Sequence, residues 1–184
     1  MQLPPVEAWG RQFATAPLKT RMSFDVFRIV ASANSTTVII RCTHRSGSQG
    51  YVYALVLNEG GYTDVQVSST DFCWMEADKR ILILQFSVGH TADYVAADPF
   101  MALVPAVSHY TNTFTLPIVN SSLNDFTHYL NIIIPAEHYQ PDQIFLDGLS
   151  LQSLALEFVA IISNGATMAY ATQLEVNATT HTLI

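Results

Sequence analysis

An all-β chain, folded as an antiparallel β-sandwich type, is what the sequence predicts. Short apolar runs are separated by turn residues, no helical period is sustained, and prolines fall at the ends of runs rather than inside them. The composition agrees: of 184 residues, 49 % are hydrophobic and only 12 % charged. That is enough apolar material for a core, over a surface of Ser, Thr, Asn and Gln, as in extracellular β-structure.

Taken in order, Phe24 to Ala31 reads as a strand buried on most of both faces, with Arg28 its polar exception. Thr36 to Cys42 alternates, with Val38, Ile40 and Cys42 on one face, and Ser32-Ala33-Asn34-Ser35 before it reads as a hairpin-like connection. A polar loop over His44 to Gly50 precedes the apolar run Tyr51 to Leu57, which Asn58-Glu59-Gly60-Gly61 closes as a turn. Val65 to Val67 is a short strand. Ile81 to Val88 is a longer one with Leu82, Leu84, Phe86 and Val88 inward, and Gly89 to Asp98 reads as a loop.

The second half continues with Met101 to Val104, Phe114 to Leu116, Tyr129 to Ile134, Ile144 to Leu146, Leu156 to Ile162 and Met168 to Leu174. Leu149 to Phe158 could form a helical turn. Pro4, Phe13, Pro17, Phe27 and Ile29 are followed about one hundred residues later by Pro105, Phe114, Pro117, Tyr129 and Asn131, with the same gap from the first Pro to the Phe. It predicts two tandem β units, 1–98 and 99–184, meeting near Asp98-Pro99.

Charge excludes some partners. The net charge is −7, from 8 basic and 15 acidic residues, and the basic ones are scattered. No cluster could neutralise a phosphate backbone, so nucleic acid is excluded as a partner. A negative domain is repelled by an anionic membrane. The apolar stretch Leu154 to Ile162 contains Glu157 and is too short to insert. The start, Gln2-Leu3-Pro4-Pro5, has no leader character, so we read the chain as a fragment of a longer secreted product.

Chemistry-bearing residues are sparse. Cys42 and Cys73 could be two thiols, a disulfide or a metal pair; neither has a ligand partner at zinc spacing, and an oxidising compartment favours the bridge. Asn34-Ser35-Thr36, Asn120-Ser121-Ser122 and Asn177-Ala178-Thr179 are glycosylation sequons in loops or near the chain end. The six histidines form no metal-binding pair, and no nucleophile elbow is present. Asp147-Gly148 reads as a hairpin turn rather than a calcium loop. The aromatics default to core packing, with Trp9 and Trp74 as loop anchors. Catalytic, cofactor and metal sites are therefore all expected to be absent.

Several strings carry a resemblance. Leu3-Pro4-Pro5-Val6-Glu7-Ala8-Trp9-Gly10, Phe27 to Ser32, Asp98-Pro99-Phe100-Met101, His128 to Pro135 and Leu146-Asp147-Gly148-Leu149 occur in an order that resembles the IgGFc-binding protein N-terminal domain family. So do Ala77-Asp78-Lys79 with Gln85-Phe86, Val104 to Val107, and Tyr170, Leu174 to Val176 and His181 to Leu183. The resemblance implies a secreted or surface β module in mucus-type proteins, and it implies that Cys42 and Cys73 are bridged. It also implies a protein or glycoprotein ligand, with the Fc part of immunoglobulin G taken from the family name. Arg80 stands where members commonly have Pro, and the chain starts about midway through the usual module. The function expected is a non-catalytic extracellular binding or adhesion module. A structural spacer, or a hydrolase using Ser46 or Ser48 with His44, are the alternatives.

Overall fold

One strand organises the first half of the molecule. The computed structural model describes residues 3–94, 99–118 and 126–184, and in it β6 runs unbroken from Asp71 to Phe86. The strand expected from Ile81 thus starts at Asp71 and takes in Cys73. Six strands pair with it directly or through a neighbour: β1 (Gly10–Thr15), β2 (Phe24–Ala31), β3 (Thr36–His44), β4 (Gln49–Leu57), β5 (Tyr62–Ser68) and β7 (Met101–Val104).

β6 is long enough to serve two layers. Its first half lies between β3 and β1, and its second half between β2 and β7. Adding β4 beyond β3 and β5 beyond β2 gives two antiparallel layers that share a strand. Their inner faces close over one core in which Phe27, Ile29, Val65 and Ile83 meet Phe13, Val38, Ile40 and Met75. This is the sandwich-like packing of alternate side chains that the period of two demands.

The connection over Ser32 to Ser35 is not a hairpin. β2 and β3 do not pair with each other; both run along the same edge of β6, one after the other. The connection stays on β6 through Ser32 N–H to the Arg80 carbonyl at 3.1 Å and Lys79 Nζ to the Asn34 carbonyl at 2.6 Å. Nor does strict alternation hold over Ile81 to Gln85, where all five residues are buried. Ile81 and Ile83 enter the sandwich core, while Leu82 and Leu84 point to the other face and are buried there too. Gly10 is required by close approach: a Cβ there would stand 2.1 Å from Ala106 Cβ.

Two smaller sheets follow. β9 (His128–Pro135), β12 (Val159–Ser163) and β13 (Ala166–Val176) form a middle sheet in the order β12-β13-β9. β8 (Phe114–Pro117), β10 (Phe145–Leu146), β11 (Leu149–Ser150) and β14 (Thr180–Leu183) form an outer one, ordered β11-β10-β14-β8. The turn Asn164-Gly165 between β12 and β13 has φ of 52° and 77°, and Asp147-Gly148 between β10 and β11 has 53° and 82°. Both are two-residue turns of the mirror-image type that hairpins favour. Residues 151–155 form turns, not a helix, and α1 is a single turn over His90–Asp93 inside the predicted loop.

The middle sheet is dressed on both sides. Ile161, Ala169 and Ala171 pack against Phe72, Trp74 and Ala14 of the first sheet, while Ile132 and Ile134 of β9 face Leu146 and Leu151 on the other side. Polar ties reinforce the first junction: Thr43 Oγ1 accepts from the Ile162 amide at 3.0 Å, and Arg45 bonds Gln173. The expected unit junction at Asp98-Pro99 begins on a residue outside the described set. β7 lies past it and adds to β6, and the core between first and middle sheets also crosses it. A division into two units, which stays a proposal, has both interactions running through it.

The two cysteines meet across neighbouring strands. Cys42 of β3 stands directly opposite Cys73 of β6, the pair is buried in the sandwich core, and the two sulfurs form a disulfide. The sequence separation of 31 encloses the whole of β4 and β5.

Candidate binding cleft

Three sheets end at one place. β1 and β7 at an edge of the first sheet, β9 at an edge of the middle sheet and β8 at an edge of the outer sheet each pair on one side only among the described residues. Residues from all of them line one cleft of ≈ 1160 Å³, somewhat larger than the usual small-molecule site. Its apolar wall includes Leu103, Val107, Leu130, Ile132 and Ile144. Phe114 and Leu103 are 40 % and 41 % exposed, so large apolar side chains at this mouth meet water. Gln140, Gln143, His138, Glu137 and Asn112 supply polar groups along the same lining.

Two tyrosines are packed in this region. Tyr110 lines the cleft, and burial pushes its phenol up to about 12, a hydrogen bond with the Ala14 backbone partly offsetting the shift. Tyr139, between the lining residues His138 and Gln140, stacks on Tyr170 at 3.8 Å and meets Phe158 edge-on at 5.2 Å. Gln85 is held from inside, its amide donating to the Ala16 carbonyl at 3.1 Å and to Asp25 Oδ2 at 3.0 Å. A preformed wall of this kind costs a ligand little ordering on binding.

The expected site residues lie elsewhere. Asn34 and Asn177 are both exposed, the first between β2 and β3 and the second between β13 and β14; Asn120 is outside the described residues. His44, Ser46 and Ser48 do come together, with His44 Nδ1 2.9 Å from Ser46 Oγ and that oxygen 3.1 Å from Ser48 Oγ. The same ring nitrogen also accepts from the Ser46 amide at 3.1 Å. The arrangement is a self-bonded exposed turn, and among the described residues no carboxylate is ion-paired with His44 to orient it as a base. Among those residues, too, no group of three or more metal-ligating side chains occurs. No helix among them is long and apolar enough to cross a membrane.

The outer sheet holds a titrating pair. His181 is buried between two acceptors, its Nδ1 2.6 Å from Asp147 Oδ2 and its Nε2 2.9 Å from the Asn177 carbonyl. Both nitrogens donate only in the imidazolium, so the bond to Asp147, then that to Asn177, raise the histidine above 6.5 against its burial. The bond to His181, with the Thr182 amide, holds Asp147 below 3.8. His181 contributes fully below 6.5 and loses its contribution as pH rises through its raised value. Asp147 contributes fully above 3.8 and loses it as pH falls through its lowered value. The pair therefore holds β14 to the Asp147 turn best between those two reference values. Thermal midpoints scanned from acid to mildly alkaline pH should decline on both sides of this window, and His181→Gln should flatten the alkaline decline. An unchanged profile in that variant would refute the assignment.

The sequence model of the family described as IgGFc binding protein matches residues 1–183. The chain belongs to this family. A curated member, the IgGFc-binding protein of Homo sapiens, is 26 % identical over 118 residues, which is 64 % of this chain and 2 % of the human protein. The match of the IgGFc-binding family takes in both halves of the chain, and with them every sheet that borders the cleft.

The sequence pointed to the IgGFc-binding family but not to the cleft. Leu103 and Phe114 sit in four-residue strands whose apolar residues look like any core residue in a linear reading. Only the meeting of three sheet edges exposes them. The partial signal was Pro105, directly after the end of β7, where a missing amide proton suits the end of pairing.

Proposed function

We propose that this chain is a non-catalytic, extracellular protein-binding module, and that the cleft at the three sheet edges receives the ligand. Membership of the IgGFc-binding family carries this reading. The disulfide supports an oxidising compartment, and exposed sequons at Asn34 and Asn177 suit attachment of glycans there. A protein or glycoprotein segment is the ligand, and the Fc part of immunoglobulin G is the first to test, since the human relative is named for it. An extended segment could add to the edge of β9 that no described strand pairs, while its side chains enter the apolar wall.

The test is direct binding of purified Fc and of soluble mucus glycoproteins to the immobilised chain, alongside a screen of ester and glycoside substrates. Saturable binding without turnover is expected. Turnover that Ser46→Ala or His44→Ala removes would favour a hydrolase, and binding of none of these ligands would favour a spacer.

A further inference from the structure

The strand at one end of the first sheet is unusual for an edge. β4 pairs with β3 on one side, and no described strand pairs with it on the other. It is nine residues long, and Tyr51, Val52 and Val56 are 65 %, 53 % and 65 % exposed. Edge strands of monomers are normally guarded by charge, proline or a bulge that discourages pairing. The opposite edge, β5, obeys this rule, with Asp64 at its middle bound to Arg28 by two contacts of 2.8 Å. From Gln49 to Asn58, β4 has no Asp, Glu, Lys, Arg or His and no proline. Its register against β3 shifts only at the Gln49 end and is regular from Val52 to Leu57.

We propose that β4 pairs with β4 of a second copy, antiparallel, about a two-fold axis at Ala54. In that register the strand is complementary to itself. Val52 faces Val56 of the other copy, Tyr53 faces Leu55 and Tyr51 faces Leu57, giving branched-aliphatic and aromatic-aliphatic cross-strand pairs. At the ends Gly50 meets Asn58 and Gln49 meets Glu59, so no two like charges oppose each other anywhere along the seam. Each chain carries −7, so two copies repel over most of their surface, and self-contact is favoured where charge is absent. Arg41, which stands opposite Val52 on β3, is neutralised within its own chain by Glu76 at 2.6 Å. The two first sheets then join into one continuous sheet across the axis. No residue of β4 lines the cleft, so both clefts stay free.

Light scattering after size exclusion, on the disulfide-bonded chain without ligand, reads this without reference to what the cleft binds. A species of twice 20.3 kDa is expected at micromolar concentration, and added salt should not dissociate it. Ala54→Lys sets two lysines against each other on the axis and should give a monomer with an unchanged far-ultraviolet spectrum. Charge at the flanking pair should act by sign. Val52→Lys combined with Val56→Lys opposes like charges twice and should be monomeric, whereas Val52→Lys combined with Val56→Glu opposes unlike charges twice and should remain a dimer. Independently, Ala54→Cys should self-crosslink under mild oxidation and Val52→Cys should not, because only position 54 meets itself. A monomeric wild-type chain, or a dimer that survives Ala54→Lys, overturns the proposal; so does equal crosslinking at both positions.

Discussion

Removing the disulfide, by Cys42→Ala with Cys73→Ala, is expected to lower the unfolding free energy by about 3–4 kcal/mol. The bridge spans 31 positions of sequence, and the unfolded chain without it regains the freedom of that loop. For a chain of this length such a loss lowers the thermal midpoint by roughly 6–16 °C. The effect is large because the bonded pair sits at the centre of the sandwich, where β3 meets β6. β4 and β5 lie inside the closed loop, so their amides should lose protection from hydrogen exchange first. Alkylation before reduction should leave both cysteines unmodified; two free thiols would remove the bridge from the account and with it the argument for an oxidising compartment.

Phe72→Ala should cost about as much, roughly 3–5 kcal/mol, for a different reason. Phe72 is fully buried in the core between the first and middle sheets, beside Trp74, Ile161 and Ala171. The cavity it leaves cannot be filled without shifting one sheet over the other. If the sheets act as one body, the variant unfolds in a single transition at a lower denaturant midpoint with an unchanged slope. A second transition appearing in Phe72→Ala would instead support two units that fold separately.

Much of the fold was legible because burial here follows strand period. The alternation Val38, Ile40, Cys42 lies in the core as read, and Asp147-Gly148 forms the hairpin its chemistry dictates. What the sequence misplaced was the start of the strand read from Ile81, which begins at Asp71. The polar run Glu76 to Arg80 looks like a loop, yet it is the half-exposed middle of β6, where the strand passes from one layer to the other. Likewise β1 is hidden by Arg11 and Gln12, which are exposed in a strand whose remaining residues are buried. The cleft was illegible in principle. Its lining comes from residues as far apart as Ala14 and Ile184, and nothing local marks Phe114 as a mouth residue rather than core.

Affinity for Fc, measured by interferometry on the intact chain and on Leu103→Asp and Phe114→Asp, bears most directly on where a ligand is received. Both side chains are exposed at the cleft mouth, so the variants should keep the native spectrum and melting behaviour. Tenfold or greater weakening in both, about 1.4 kcal/mol or more, is the predicted result. Unchanged affinity in both variants, or no saturable binding by the native chain, would contradict it.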